Sequence, residues 1–591
     1  MLRIFARNLV ACAAIVCVIA PASAQPATMQ QPAKATAERT VAIATVHPLA
    51  TDAAMEVYED GGNAVDAAIA AALTLGVVDS HNSGIGGGCL ALVRLPNGQF
   101  LAIDGREMAP AAATRDMFVR DGKAVASLSQ TGPLAAGVPG ALAAYQKLND
   151  RCGELPLSRL LQPGIEAAEQ GFAVSRTMAS ALRSQRENLQ RFPASQAAFL
   201  NRDGKAPAEG DVVRRPDLAR TYRALASDGI DWFYHGKFAQ QTKAWMQQSG
   251  GLLTAADFAG YEAKQRTAVR STYRGLKVVG FPPPSSGGVH VAQMLNLLEP
   301  YDVQTLAKEK PADYAHLLAE VMKLAFADRA HWLGDADFAE VPRGLASKAY
   351  ADKLRAKISL SHATTVSSHG TPKAWRQDLF GRHTTHIAAA DSEGYWVAIT
   401  ATVNTSFGSK VVIPGTGVVL NNEMDDFSTL PGAPNAFQLV GAENNAVAPG
   451  KRPLSSMSPT IVVDANDEPL LTVGAAGGPK IITQVLQAIL GVVDRNLPPE
   501  QVLAEPRVHH QWRPDRLSVE RTISDARKEA LAAKGHKVAI LPTAGVAQMI
   551  VADPERGLVA VNDPRIAGKS QVSTLPVRDD PGPESVNDHD R

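Results

Sequence analysis

The residues best able to do chemistry gather after position 380. Arg382-His383-Thr384-Thr385-His386 is followed by Thr402-Val403-Asn404-Thr405-Ser406-Phe407-Gly408, then by Asn421-Asn422-Glu423-Met424-Asp425-Asp426, Ser455-Ser456 and Gly477-Gly478. Far upstream stands Asp104-Gly105-Arg106-Glu107. A threonine hydroxyl is a poor nucleophile until a base takes its proton. A threonine at a chain terminus carries such a base itself, in its free α-amine. That amine titrates near ~8, so much of it is neutral at mildly alkaline pH. Within a continuous chain the same nitrogen is an amide and accepts no proton. Gly477 and Gly478 stand just before a predicted helix, where backbone N–H groups lack partners and can face developing negative charge.

The elements around these residues fit that chemistry. Residues 361–381 are rich in Ser, Thr, His, Gly and Pro and read as an exposed linker. His386 to Ala390 and Tyr395 to Val403 then read as strands flanking the turn Asp391-Ser392-Glu393-Gly394, and Thr460 to Asp464 and Pro469 to Val473 as a second pair. A helix is expected over Pro479 to Asp494, with proline in its first turn. A strand pair directly after a flexible linker is the setting that an N-terminal nucleophile needs once the chain is cut. Upstream, an alanine-rich helix is expected from Gly62 to Val77, opened by Asn63. The glycine run Gly84 to Gly88 follows, then strands Cys89 to Leu95 and Gln99 to Asp104 around Pro96-Asn97-Gly98. Pro156 to about Asp335 reads as mainly helical, broken by Pro282 to Gly288. Residues 571–591 read as a polar, acidic, disordered tail.

Other chemistries lack their motifs. There is no G-x-S-x-G elbow and no H-E-x-x-H pair. Gly568-Lys569-Ser570 has Asp563 where a phosphate loop needs glycine, and Gly84 to Cys89 fails G-x-G-x-x-G at its last position. His383 with His386, or His509 with His510, could ligate a metal, but such pairs alone are weak signals and read better as structural or surface histidines. Neither a metal nor an organic cofactor is expected. With 59 basic and 59 acidic residues in 591, the chain has no net charge to hold nucleic acid.

The N-terminus reads as a signal peptide over residues 1–24. Arg3 and Arg7 precede the apolar run Leu9 to Ala20, which is too short for a bilayer, and Ala22-Ser23-Ala24 has the A-x-A form of a cleavage site. An exported protein, periplasmic or secreted, is expected, with no membrane span in its mature form. Cys89 and Cys152 would remain, as a disulfide or as two free thiols.

Taken in this order, the motifs closely resemble those of the γ-glutamyltransferase (γ-glutamyl transpeptidase) family of N-terminal nucleophile hydrolases, from about Val41 to Pro564. The resemblance implies an α+β fold, a four-layer αββα sandwich formed jointly by two chains. It implies autocleavage between His383 and Thr384, giving a heterodimer of a large chain (25–383) and a small chain (384–591). Thr384 is then the nucleophile, Thr402 its hydrogen-bonding neighbour, and Gly477 with Gly478 the oxyanion hole. Arg106, Ser455 and Ser456 would read the donor's α-carboxylate. Asn404, Glu423 and Asp426 would read its α-ammonium. Donors would be glutathione and related γ-glutamyl compounds, and acceptors water, amino acids or peptides. The sequence departs from the family pattern at Ile387-Ala388, Cys89, Pro479-Lys480 and Phe437. Phe437 lies in the expected lid (about 432–441), where a tyrosine is usual. Two other readings stay open, a glutaryl- or cephalosporin-type acylase of the same fold and an unprocessed exported binding protein.

Overall fold

The structure is a computed structural model and describes residues 38–372, 385–430 and 432–577. The expected signal peptide, the His383–Thr384 bond and the nucleophile itself lie outside the described residues. So do the leader to residue 37, part of the linker and the tail from 578.

Thirteen strands build two large sheets. They are β1 (Glu38–Thr45), β2 (Gly88–Arg94), β3 (Phe100–Gly105), β4 (Lys264–Arg266), β5 (Val269–Tyr273), β6 (Leu276–Gly280), β7 (Thr385–Asp391), β8 (Trp396–Thr402), β9 (Thr460–Val463), β10 (Pro469–Ala476), β11 (Val546–Asp553), β12 (Gly557–Asn562) and β13 (Lys569–Pro576). One sheet has the order β13-β1-β7-β8-β2-β3-β4, the other β12-β11-β10-β9-β6-β5. The helices that matter here are α1 (Pro48–Glu59), α2 (Ala64–Val78), α3 (Leu157–Gln170), α4 (Gly287–Leu298), α5 (Pro311–Trp332) and α6 (Lys480–Val493).

Side-chain alternation explains the layering. In β7, Ile387 and Ala389 join the core shared with α1, α2 and α3, while Ala388 and Ala390 face the other sheet. In β2, Ala91 and Val93 face the helices, and Leu90 and Leu92 face inward. On the opposite sheet, Leu471, Val473 and Ala475 of β10 pack with α4, α5 and α6. Strands buried on both faces therefore read as unbroken apolar runs. Where β7 meets the other sheet the inner residues, Ala388 and Ala390, are small. A Cβ on Gly474 would stand 2.3 Å from the His386 ring, so only glycine lets the layers approach there. The result is the expected αββα sandwich.

Local signals hold at the elements nearest the site. Asn63 caps α2, accepting from the N–H groups of Val65 and Asp66, and Asp66 returns a bond to Asn63. This reciprocal box fixes where α2 starts. Every residue of α2 is buried, consistent with its near-uniform apolar surface.

Two expectations fail. The stretch read as mainly helical contains β4, β5 and β6, and β6 pairs with β9 from beyond the linker. Residues 571–576 are not a tail but the body of β13, paired along β1 from Glu38↔Pro576 to Thr45↔Lys569. Its polar residues reflect its position as an edge strand with one exposed face. Cys89 and Cys152 are both buried free thiols.

Candidate active site

The site lies at one end of the sandwich, where β3, β7, β8 and β10 meet loops from both halves of the chain. Thr385 opens β7 opposite Ala401 of β8, and Thr402 closes β8 opposite Gly88. Thr402 thus borders the point where the chain enters the sheet. It is buried, and its Oγ1 accepts the Asn404 N–H at 2.7 Å. Asp79, just past α2, is a buried acid beneath this corner. Burial pushes it up to about 7, against hydrogen bonds from Asn82 and the Thr385 side chain.

Asn404 holds a positive φ of 76°, which asparagine tolerates better than most residues. Its Nδ2 donates to Asn422 O at 3.0 Å, while its Oδ1 is buried without a partner among the described residues. Gly477 and Gly478 follow the last ladder pair of β10 and precede α6, with φ of 134° and 64°. Their N–H groups belong to neither element. Phe437 lies over Gly478, since a Cβ there would stand 2.9 Å from the ring. The expected lid is tied down beside it. Asn435 donates to Asp426 at 3.2 Å and accepts from the Phe437 and Leu439 N–H groups, and Ala436 N–H donates to Asp425 at 2.9 Å.

Arg106 leaves β3 directly into a buried nest of acids. Its guanidinium pairs with Glu423, with Asp426 at 2.8 Å and with Glu107 at 3.4 Å, and its Nε donates to Pro453 O at 3.1 Å. Glu423 and Asp426 share one turn of 3₁₀ helix, Glu423–Asp426, so both acids face the same cation. The expected carboxylate reader and ammonium readers are therefore bonded to each other in this structure. Three buried carboxyls surround the Arg106 guanidinium, and Arg329 also acts on Asp426. Burial, opposed by Arg106, pushes Glu107 up to about 7 and Asp426 to about 6, and burial drives Glu423 up as well. Glu107 Oε1 and Glu423 Oε2 have no donor among the described residues. The two carboxyls neighbour each other, and the charge of Glu107 helps to push Glu423 up.

Ser455 lies in a parallel bridge with Ser285. Ser286 Oγ donates to Ser455 O at 2.5 Å, and Ser456 Oγ is buried without a partner among the described residues. Behind this contact stands Arg329 of α5, 2% exposed, with Nε 3.3 Å from Ser286 Oγ and Nη2 without an acceptor among the described residues. The sequence analysis assigned no role to Glu107 or Arg329. Arg329 is one of four charged residues between Leu317 and Ala330, with Glu320, Lys323 and Asp328, so nothing in the local sequence singles it out.

Among the described residues one group could gather three metal ligands, His316, Glu320 and His536. Those atoms are already engaged. The two rings meet at 2.7 Å, His316 Nε2 lies 2.7 Å from Ser359 O, and Glu320 pairs with Lys323 and Thr364. The Lys323 ammonium already supplies the cation there. His386 bonds Thr400 at 3.0 Å, His509 bonds Thr483 and Gln511, and His510 neighbours Asp515 at 3.3 Å.

A family profile described as Gamma-glutamyltranspeptidase matches residues 50–573. A glutathione hydrolase proenzyme of Escherichia coli (strain K12) is 41% identical over 525 residues, spanning 88% of this chain and 90% of that relative. Among solved structures, cephalosporin acylase from Bacillus halodurans is similar with a TM-score of 0.80 at 29% identity, over 94% of this chain and 99% of that one. Helicobacter pylori gamma-glutamyltranspeptidase is similar with a TM-score of 0.52 at 40% identity, over 53% of this chain and 90% of that one. With the family profile covering nearly all of the sandwich, this chain belongs to the gamma-glutamyltranspeptidase family.

Proposed function

We propose that the chain is a glutathione hydrolase and γ-glutamyltransferase, made as an exported proenzyme that cuts itself between His383 and Thr384. The carrying observation is a pair of buried acceptors, Asn404 Oδ1 and Glu423 Oε2, that lack donors among the described residues beside a cluster of buried acids. An uncompensated buried acceptor costs about 1–3 kcal/mol. An α-ammonium would supply N–H donors to both. The name borne by the Escherichia coli relative supports the same reading.

In this reading Thr384 Oγ attacks the γ-carbonyl carbon while its own α-amine takes the hydroxyl proton. The carbonyl oxygen turns negative facing the N–H groups of Gly477 and Gly478. The C–N bond breaks, the proton passes to the leaving amine, and a γ-glutamyl ester stays on Thr384. Water or an acceptor amine then attacks that ester. Thr402, at the end of β8, would hold the Thr384 hydroxyl in line. Arg106, Ser455 and Ser456 would hold the donor carboxylate, and Asn404, Glu423 and Asp426 the ammonium.

The similarity to a cephalosporin acylase favours one rival reading, an acylase for glutaryl-type side chains. A glutaryl group lacks the ammonium, so it would leave Asn404 Oδ1 and the acid nest unanswered. Initial rates on γ-glutamyl and glutaryl anilides separate the two. A clear preference for γ-glutamyl is expected, and equal or reversed rates would refute the donor assignment. Export is checked by cell fractionation and by sequencing the large chain, which should begin at Gln25. No helix among the described residues is long and apolar enough to cross a membrane.

A further inference from the structure

The strand that directly follows the expected cut is held on one edge only where it begins. β7 pairs with β8 from Thr385↔Ala401 to Ala390↔Trp396. On its other edge β1 joins only from Ala388 onward, through Ala44↔Ala388 to Val41↔Asp391. Among the described residues, Thr385, His386 and Ile387 thus have a ladder on one side. Chain ends fray unless something ties them down. A cut just before this strand would remove its covalent support as well.

A side chain supplies the tie. Thr385 is 1% exposed, and strand alternation puts it on the face that Ile387 and Ala389 turn toward α2. Its hydroxyl donates to Asp79, the residue that ends α2. Asp79 is held in turn by Asn82, whose Nδ2 lies 3.2 Å from each carboxylate oxygen. The same short loop grips the neighbouring strand. Val403 N–H, directly after Thr402, donates to Asn82 O at 3.0 Å, and Phe407 N–H donates to His81 O at 2.9 Å. One loop, Asp79 to Asn82, therefore clamps the start of β7 and the end of β8 together.

Packing gives no reason for an acid at this point. Asp79 is 3% exposed and pairs with no lysine or arginine among the described residues. The cation that acts on it is His47, which caps α1 and whose own pKa burial lowers. His81 lies 3.3 Å away, and burial brings that ring down to about 4, so it is neutral at pH 7. A buried carboxylate without a firm counter-ion is costly, which points to a use in the groups it touches.

We propose that Asp79 is a positioning residue for the nucleophile: through Thr385 it fixes the first residues of β7 and so holds the terminal threonine beside Thr402 of β8. This rests on the reading of Thr384 as an N-terminal nucleophile. Asp79 touches no reacting atom in this role. It acts through the Thr385 hydroxyl and the strand.

The test is a double-mutant cycle on the processed enzyme, read as kcat and KM on γ-glutamyl anilide per cut chain. Thr385→Val keeps the shape of threonine and loses its hydroxyl. It and Asp79→Ala should each lower kcat about tenfold or more, while KM moves by less than about threefold. The double variant should be no slower than the slower single one, because both remove the same contact. Asp79→Asn and Thr385→Ser, which keep an acceptor and a donor, should recover most of the loss. A denaturing gel first shows whether each variant is cut. If Asp79→Ala is not, the Thr385 variants decide, Val against Ser. An unchanged kcat in a cut Asp79→Ala or Thr385→Val variant overturns the proposal, and so do losses that multiply in the double variant. A wild-type small chain that begins elsewhere than Thr384 refutes the nucleophile reading instead.

Discussion

Two buried charge clusters stand side by side at the end of β3, and they are built on opposite plans. Asp104 accepts from Arg266 Nε at 3.0 Å, pairs with Arg452 at 2.6 Å and accepts the Arg106 N–H at 2.9 Å. Arg266 is shared with Asp337, and Asp335 accepts the Arg452 N–H at 2.9 Å. Two arginines hold Asp104 below the usual carboxylate range despite its burial. Two residues further on, Arg106 faces three acids, and among the described residues two of their oxygens have no donor. The first cluster ties β3 and β4 to the Arg452 loop and is complete without a ligand. The second is incomplete, and its acids are pushed up rather than down. A buried network that satisfies itself serves the fold, whereas one left with unanswered groups is poised for a ligand.

The sharpest break in this comparison comes from outside both clusters. Thr384→Ala should leave a single uncut chain on a denaturing gel and reduce activity on the order of 10⁴-fold or more, as loss of a nucleophile does. Uncut but fully active wild-type protein would remove the reason for having a ligand-ready cluster here.

Next in size is Asp104→Ala. It leaves buried Arg266 and Arg452 short of an anion, and a broken buried pair costs about 3–5 kcal/mol. Urea unfolding should show this loss, with KM little changed in whatever remains folded. Arg106→Ala should do the reverse. It should weaken donor binding by about 1.5–3 kcal/mol, read as a rise in KM. An unchanged KM would mean that the second cluster, too, is purely structural.

The smallest expected effect concerns pH. The Arg106 nest has acids whose folded-state pKa values are raised, so their stabilising share is present below about pH 4 and is lost as pH rises through 6 to 7. Asp104 is lowered, so its share is present above its ordinary range and is lost on acidification. Glu107→Gln should therefore raise unfolding stability at pH 8 by about 1–2 kcal/mol and leave it nearly unchanged at pH 4. Stabilisation of equal size at both pH values would show that ionisation of Glu107 is not the cause.

Much of the fold could be read from the residues in order. The Asn63 cap, the apolar runs of β2, β7 and β8, the turn at Asp391 to Gly394 and the glycine pair before α6 are local signals, set by neighbours a few residues away. The failures share one cause. β5 and β6 are short and lie among helices; β5 pairs with β6, and β6 gains its other neighbour, β9, from across the linker. β13 reads as a polar tail because an edge strand with one wet face carries few apolar residues. The site divides in the same way. The motifs' resemblance to the family pointed to Arg106, Asn404, Glu423 and Asp426 as the charge-reading set, and to Gly477 and Gly478 as the oxyanion hole. Only the tertiary structure brought Arg106 against acids more than three hundred residues away, left Asn404 Oδ1 and Ser456 Oγ unanswered, and placed Arg329 behind the Ser455 loop. Whether a charge is satisfied depends on which groups enclose it and how far water is excluded. Chain order does not encode that enclosure, and it is decided when the layers close.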